Sequence, residues 1–285
     1  MSTKIACSLD DVNTLSADEV KGILDADAQG GHILLDVRQP EEYAAGHIPG
    51  ARLIPLGELE ERVGEIREDR PIITYCRSGR RGLGASVLLC GLGFRDVYNM
   101  VGGTGAWQHE LVRGRPDEGM DLLAEVPGPV EALLLAFRME KGSWDFYSKV
   151  GERLKGKSQV VTNLVNMEVD HMKWIYKELV RYRGEDLPPL ETLTEEASGE
   201  RMEAGVSVNE ALLRFEGEVK DDLEVIEAAL EMECKAYDLY RRMADAVADE
   251  ETAQLFGRLA GAERGHIRQL SGELGQFLQD AGPGS

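Results

Sequence analysis

Residues 229–240, ALEMECKAYDLY, decide the fold of the second half of the chain. Apolar and aromatic side chains recur there at steps of three and four residues, and nothing in the stretch breaks a helix, so we predict a helix. Glu233 lies on the same apolar face. A buried, ionised carboxylate costs several kcal/mol unless a cation or a metal ion neutralises it, which makes this glutamate a candidate functional residue.

A second copy of the pattern occurs in residues 136–147, AFRMEKGSWDFY. Glu140 occupies the position that Glu233 has in the other copy. A tyrosine follows each glutamate by seven residues, at Tyr147 and Tyr240. Seven residues are about two helical turns, so each tyrosine lies on the same face as its glutamate. The duplication predicts two helices that each carry an inward carboxylate.

A helical stretch with the pattern Glu-x-x-His follows each copy. An i, i+3 pair places the carboxylate and the imidazole side by side on one helix face. One glutamate from each of two helices, together with Glu-x-x-His from each of two others, is the ligand set of di-metal carboxylate four-helix bundles. The alternative is two ordinary amphipathic hairpins with solvated side chains. The presence of four candidate segments in the correct order, in a duplicated pattern, disfavours it. The predicted ligands of two metal ions are Glu140, Glu168, His171, Glu233, Glu263 and His266.

This ligand order, within residues 129–277, resembles the rubrerythrin branch of the ferritin-like superfamily. The resemblance implies an all-α four-helix bundle that holds two iron ions, with manganese or zinc as alternatives, and that handles peroxide or dioxygen under oxidative or sulfide stress. It also implies that Tyr147 and Tyr240 hydrogen-bond to ligand carboxylates. Four carboxylates and two imidazoles suit iron or manganese better than a soft metal. We further expect a homodimer formed through the bundle.

Two features depart from the rubrerythrin pattern. The family has a further carboxylate three residues after the glutamate of the third helix, but this position is Ala236 here. The chain also lacks the two Cys-x-x-Cys pairs of a rubredoxin-like iron centre. We therefore expect impaired peroxidase cycling and an external electron donor.

Helix caps and breaks divide the second half into four long helices. We predict that they begin near Pro129, Ser158, Asp221 and Asp249. A long crossover in residues 184–205 joins the second helix to the rest, with a short helix after Ser207.

The first half of the chain alternates short apolar runs with helical stretches. Ser16 and Glu19 form a capping box that opens a helix. Residues 58–68, ELEERVGEIRE, are predicted to form another helix. Strands that alternate with short helices predict a mostly parallel α/β sheet covered on both faces. The predicted strands are residues 32–37, 51–55, 71–76 and 96–100.

Cys76 ends one of these strands and enters a turn that leads into a helix. An open α/β sheet places ligands at such turns, where helix N-terminal amides stabilise an anion. Backbone N–H groups and neighbouring arginines lower a thiol pKa below about 8.5 and make the thiolate nucleophilic at neutral pH. The predicted catalytic loop is Cys76, Arg77, Ser78, Gly79, Arg80 and Arg81.

Three segments within residues 16–108 resemble the rhodanese family. LDVRQPEEYAAGHIPGA, residues 35–51, is similar to its Asp-x-Arg and Gly-His-Ile-Pro-Gly-Ala signatures. YCRSGRRG, residues 75–82, is similar to the segment around its six-residue active-site loop, and VGGTGAW, residues 101–107, to its closing segment.

The resemblance implies a sulfurtransferase. Cys76 would accept a sulfane sulfur from a small donor such as thiosulfate, become a persulfide and pass the sulfur to a thiol acceptor. Asp36, Arg38 and His47 would be scaffold residues. Gly82 departs slightly from the family, since many members have serine there.

A cysteine phosphatase is the competing enzyme class. Its loop needs five residues between the cysteine and the arginine, whereas Arg81 falls one position short and Gly82 takes the required place. A shorter loop suits a sulfur atom better than a tetrahedral phosphate, which favours sulfur transfer. The non-catalytic alternative is a rhodanese domain that senses or docks sulfur species, on a bundle whose metal is structural.

Length, charge and cysteine usage favour a reduced, cytoplasmic protein of two domains. We expect a rhodanese-like domain in residues 1–115, a linker in 116–128 and the bundle in 129–285. The four cysteines have no disulfide-framework spacing, and neither a signal peptide nor a membrane-spanning run is expected. The net charge is −20, which disfavours binding to nucleic acids and anionic membranes.

Overall fold

A computed structural model describes residues 12–26, 31–156, 158–202, 205–218 and 221–280. The chain divides into two compact units, residues 1–118 and residues 119–285. The first unit is an α/β sheet and the second is a helical bundle, as the sequence predicts. Among the described residues, no helix combines the length and the apolar character that crossing a bilayer requires.

The first unit contains a five-stranded sheet in which every neighbouring pair is parallel. The strand order is β1-β5-β4-β2-β3. All four predicted strands are confirmed, and one further short strand lies at the edge. The strands are β1 (Asn13–Leu15), β2 (Ile33–Asp36), β3 (Arg52–Leu53), β4 (Ile72–Tyr75) and β5 (Val97–Met100).

Helices cover both faces of this sheet, because alternate side chains of each buried strand point to opposite faces. Leu34 of β2 packs in a core with α1 and α2, whereas Leu35 packs in the opposite core with α3. The capping box is confirmed, since Ser16 N donates to Glu19 Oε2 at 2.8 Å. The helices are α1 (Ala17–Ala26), α2 (Pro40–Ala45) and α3 (Arg80–Gly91).

The helix predicted over residues 58–68 is wrong. The structure has only two short 3-10 turns in this region, Leu56–Glu58 and Val63–Glu65. Arg52 of β3 donates to the backbone carbonyl of Glu65 at 2.8 Å. A continuing α-helix would need that carbonyl for its own i+4 hydrogen bond, so the tertiary contact ends the turn.

In the second unit, four long helices pack as two hairpin pairs, α4 with α5 and α8 with α9. Their predicted starts are confirmed. Ser158 Oγ accepts a hydrogen bond from Val161 N, and Asp221 Oδ1 accepts one from Glu224 N. The six α-helices described are α4 (Pro129–Arg153), α5 (Gln159–Arg183), α6 (Leu190–Glu196), α7 (Val208–Glu218), α8 (Asp222–Ala246) and α9 (Glu250–Asp280).

The crossover between α5 and α8 lies close against α4. A Cβ atom on Gly142 would come within 2.1 Å of the Arg201 carbonyl oxygen, so only glycine allows this approach. Part of the expected linker is also built into the unit, because the 3-10 helix Met120–Glu125 packs Met120, Leu122 and Leu123 against the core.

Candidate active site and metal centre

The four long helices bring the six predicted metal ligands to one level of the bundle. Glu168 of α5 has Leu164 of one apolar cluster one turn before it and Met172 of another cluster one turn after it. Glu233 of α8 likewise has Ala229 of the first cluster one turn before it and Tyr237 of the second cluster one turn after it. The ligand layer is therefore enclosed by apolar side chains, and all four glutamates are buried.

The first half of the centre joins α4, α5 and α9. His171 Nδ1 lies 3.0 Å from Glu140 Oε2 and 3.7 Å from Glu263 Oε1. Glu140, Glu168 and His171 form one group whose ligand atoms all lie within 4.8 Å of one another.

The second half has the same arrangement around His266. Its Nδ1 lies 3.1 Å from Glu233 Oε2 and 3.4 Å from Glu263 Oε2. Glu263 and His266 also form a second ligand group together with His171. Tyr147 donates its hydroxyl to Glu233 Oε1 at 3.5 Å, as expected for one of the two predicted tyrosines. Tyr240 is fully buried in the apolar cluster next to the centre.

The charges of this centre fit divalent cations. Burial raises the pKa of Glu140, but His171, Glu168 and His266 together outweigh it and lower the pKa overall. Burial lowers the pKa of His171, but Glu140 and Glu263 outweigh it and raise the pKa to about 9. Four buried carboxylates face only two imidazoles, and Glu140 Oε1 accepts no hydrogen bond within the described part of the chain. Two divalent ions would supply the missing positive charge, and the oxygen and imidazole donors suit iron or manganese.

The candidate active site of the first unit is the loop between β4 and α3. Cys76 is 1% exposed and lies at the carboxyl end of β4. Burial raises the pKa of its thiol, but backbone N–H groups that donate to the sulfur lower the pKa below its usual value overall. These four donors belong to Ser78, Gly79, Arg81 and Gly82.

Glycines allow the loop to close this tightly. Gly79 has φ +84°, and a Cβ there would lie 2.9 Å from Gly102 N. A Cβ on Gly103 would lie 1.9 Å from the Cys76 carbonyl oxygen. The loop is held against the segment after β5, where Thr104 N donates to the same carbonyl at 2.8 Å.

The three arginines of the loop have different surroundings. Arg77 and Arg80 are exposed, as is Ser78. Arg81 makes a bidentate ion pair with Glu42 of α2, with both N–H···O distances at 2.7 Å. The hydrogen bonds from Arg81 lower the pKa of Glu42 to about 2.

The expected scaffold residues are buried behind the loop. Arg38 Nε donates to both carboxylate oxygens of Asp36 at 2.9 Å, and its Nη2 donates to the Gly46 carbonyl. The His47 ring stacks on Tyr43 with centroids 3.6 Å apart. These contacts fix the segment between β2 and β3, and none of the three predicted residues reaches the sulfur in a described contact.

Known families match both units of the chain. The family model described as rubrerythrin matches residues 131–274, about half of the chain. The chain belongs to the rubrerythrin family. The model described as a rhodanese-like domain matches residues 16–110, ahead of the rubrerythrin domain.

Relatives of the rhodanese-like domain include enzymes of sulfur transfer. Thiosulfate sulfurtransferase GlpE of Pseudoalteromonas translucida is 40% identical over 76 residues, which are 27% of this chain and 72% of that protein. The uncharacterized protein YqhL of Bacillus subtilis is 45% identical over 74 residues, which are 26% of this chain. The chain spans 59% of the length of YqhL. A rhodanese-like domain protein from Staphylococcus aureus is a structural neighbour with 29% identity, a TM-score of 0.34 and coverage of 36% of this chain and 99% of that protein.

Sequence reasoning missed one residue of the rhodanese-like site. Glu42 lies in the segment 35–51 that resembles the rhodanese signatures, but no role was predicted for it, although its carboxylate holds the last arginine of the loop. Glu42 also accepts a hydrogen bond from Gln39 N at 3.1 Å, which caps the first turn of α2. The local pattern indicates only this capping contact, because the partner Arg81 lies 39 positions away.

Proposed function

We propose that this protein is a sulfurtransferase that carries a sulfane sulfur on Cys76, joined to a di-iron centre that reduces peroxide or dioxygen. The observation that carries the first part is the convergence of four backbone N–H groups on one buried sulfur. Donors in this arrangement stabilise a thiolate before the reaction and need no rearrangement during it.

The sulfur step needs only the loop and two small substrates. The Cys76 thiolate attacks the outer sulfur of thiosulfate, a new S–S bond forms, and the old S–S bond breaks with its electron pair leaving on sulfite. A thiolate acceptor, or cyanide, then attacks the terminal sulfur of the persulfide. The electron pair of that S–S bond returns to Cys76, which is again a thiolate.

The loop size supports sulfur rather than phosphate as the transferred group. The amides of Ser78, Gly79, Arg81 and Gly82 are all used on a single sulfur atom. A phosphate would need donors around three oxygens as well as space for a tetrahedral group. Curated relatives that include a thiosulfate sulfurtransferase support the same choice of donor.

The second part of the proposal rests on the donor set and on membership of the rubrerythrin family. Bound iron would supply the electron transfer that the reduction of peroxide or dioxygen requires. Glu140, Glu168, Glu233 and Glu263 would offset its charge, and the two apolar clusters would keep bulk water from the carboxylates. Ala236 is fully buried and offers no oxygen ligand to the oxidised centre, so peroxidase cycling with an external electron donor would be slow.

Two assays on the full chain test the proposal. With thiosulfate and cyanide, thiocyanate should form in the wild type and not in Cys76→Ser. With iron loaded anaerobically, the wild-type protein should consume peroxide, and the variant that combines Glu168→Ala with Glu263→Ala should not.

A wild type that binds thiosulfate without producing thiocyanate would favour the sulfur-sensing alternative. Iron loading without peroxide consumption would make the metal structural. The expected homodimer is checked by sedimentation of the same samples.

A further inference from the structure

We infer that Glu42 is a positioning residue for sulfur transfer and acts through Arg81 on the loop that holds Cys76. This inference rests on the proposed sulfurtransferase function, and its test separates the two. Nothing in the residues around Glu42 points to such a role, since the ion pair spans 39 positions.

The carboxylate of Glu42 ties together two helix starts. Oε1 accepts from Arg81 Nη2, and Oε2 accepts from Arg81 Nη1, both at 2.7 Å. Oε2 also accepts from Gln39 N at 3.1 Å. One side chain therefore joins the first turn of α2 to the first turn of α3, on either side of the sulfur loop.

This connection reaches the sulfur through the backbone. The N–H of Arg81 is itself one of the four donors to Cys76, and that of Gly82 is the next. Holding the Arg81 side chain at two points fixes the first turn of α3, which carries both amides. Electrostatic stabilisation of this kind depends on the placement of the donors, and a displacement of about 1 Å can cost about a hundredfold in rate.

The ion pair also distinguishes Arg81 from the other two arginines of the loop. Glu42, and after it Cys76, raise the pKa of the Arg81 guanidinium, so its charge is directed to the loop rather than to solvent. Arg77 and Arg80 are exposed, and neither forms an ion pair with any residue that the structure describes. The ion pair therefore assigns the shape of the loop to Glu42 and Arg81, whereas Arg77 and Arg80 remain exposed.

The test compares Glu42→Gln, Arg81→Gln and the double variant in the full chain. Glu41→Gln is the matched control, because Glu41 is an exposed neighbour on the same helix. We expect Glu42→Gln to lower kcat with thiosulfate about tenfold or more and to leave KM within about twofold. The pH midpoint of Cys76 alkylation should rise, because the amides no longer converge on the thiolate. Arg81→Gln should lower kcat and raise the midpoint at least as much, because its guanidinium also interacts with Cys76. The double variant should be no worse than Arg81→Gln alone, and Glu41→Gln should match the wild type.

Two results would overturn the inference. One is a folded Glu42→Gln protein whose kcat and alkylation midpoint are unchanged. The other is losses that add in the double variant, which would mean that the two residues act separately. If Glu42→Gln does not fold, Glu42→Asp replaces it, because aspartate keeps the charge but has a shorter side chain. A wild-type kcat and a wild-type alkylation midpoint in Glu42→Asp would also reject the inference. If the wild type shows no sulfur transfer at all, the alkylation midpoints still decide whether Glu42 positions the loop.

Discussion

The imidazole rings of His171 and His266 stack on each other, with centroids 4.3 Å apart and planes 16° apart. They lie on α5 and α9, the second helices of the two hairpin pairs. The stacking places the two Glu-x-x-His motifs face to face, so Glu263 of one motif comes within 3.7 Å of the histidine of the other. Two motifs that are far apart in the chain thereby form a single centre.

The first prediction concerns metal stoichiometry. We expect the wild type to bind two metal ions per chain after anaerobic iron loading, and Glu168→Ala combined with Glu263→Ala to lose most of this iron, because each ligand group loses a carboxylate. Elemental analysis measures the content. Asp170→Asn is the control, since Asp170 is exposed on α5 and pairs only with Lys173 among the residues described. Equal iron in the double variant and the control would contradict the assignment.

The second prediction concerns the location of the sulfur. After treatment with thiosulfate, mass spectrometry of peptides should find one extra sulfur on the peptide that contains Cys76, and none in Cys76→Ser, because the thiolate is the attacking group. Cys234→Ser should still carry the sulfur, since Cys234 lies buried on α8 of the other unit. An extra sulfur found on Cys234 and never on Cys76 would reject the proposed mechanism.

The third prediction is the pH dependence of Cys76. Burial raises the thiol pKa, but the amide donors lower it overall, so the midpoint of the alkylation rate should lie below the pH of about 8.5 at which an unfolded cysteine is half ionised. The same shift contributes stability that is fully present above the unfolded pKa and is lost as the pH falls through the folded pKa. Iodoacetamide kinetics against pH, in native protein and in urea, measure both midpoints. A native midpoint at or above the unfolded one would contradict stabilisation of the Cys76 thiolate by the four backbone N–H groups.

The fourth prediction uses two glycines of the rhodanese-like domain. Gly103→Ala should lower the free energy of unfolding by about 1–3 kcal/mol and reduce sulfur transfer, because its φ is +55° and the new Cβ would lie 1.9 Å from the Cys76 carbonyl oxygen. Gly84→Ala is the control. It lies on α3 with its nearest contact at 3.9 Å, so we expect it to stabilise the helix by up to about 1 kcal/mol. Urea unfolding of both variants gives the comparison.

Much of the candidate metal site could be predicted from sequence. The duplicated glutamate and Glu-x-x-His patterns name six candidate ligands, and the structure brings these side chains close to one another. The caps at Ser158 and Asp221 also give the correct helix starts. These signals are local, because a helix repeats every 3.6 residues and its first turn needs a nearby acceptor.

Other features depend on residues that are far apart in the chain. The sequence by itself determined the four long helices of the bundle, four of the five strands, which six side chains could hold metal, and that Cys76 enters a helix start. Only the tertiary structure decided that Arg52 ends the turn at Glu65, that Met120 packs on the bundle and that Glu42 holds Arg81. The physical reason is that periodicity and capping act within a few residues of the chain. These contacts form only after packing has brought distant segments together. Before that, a charged or apolar side chain has many possible partners.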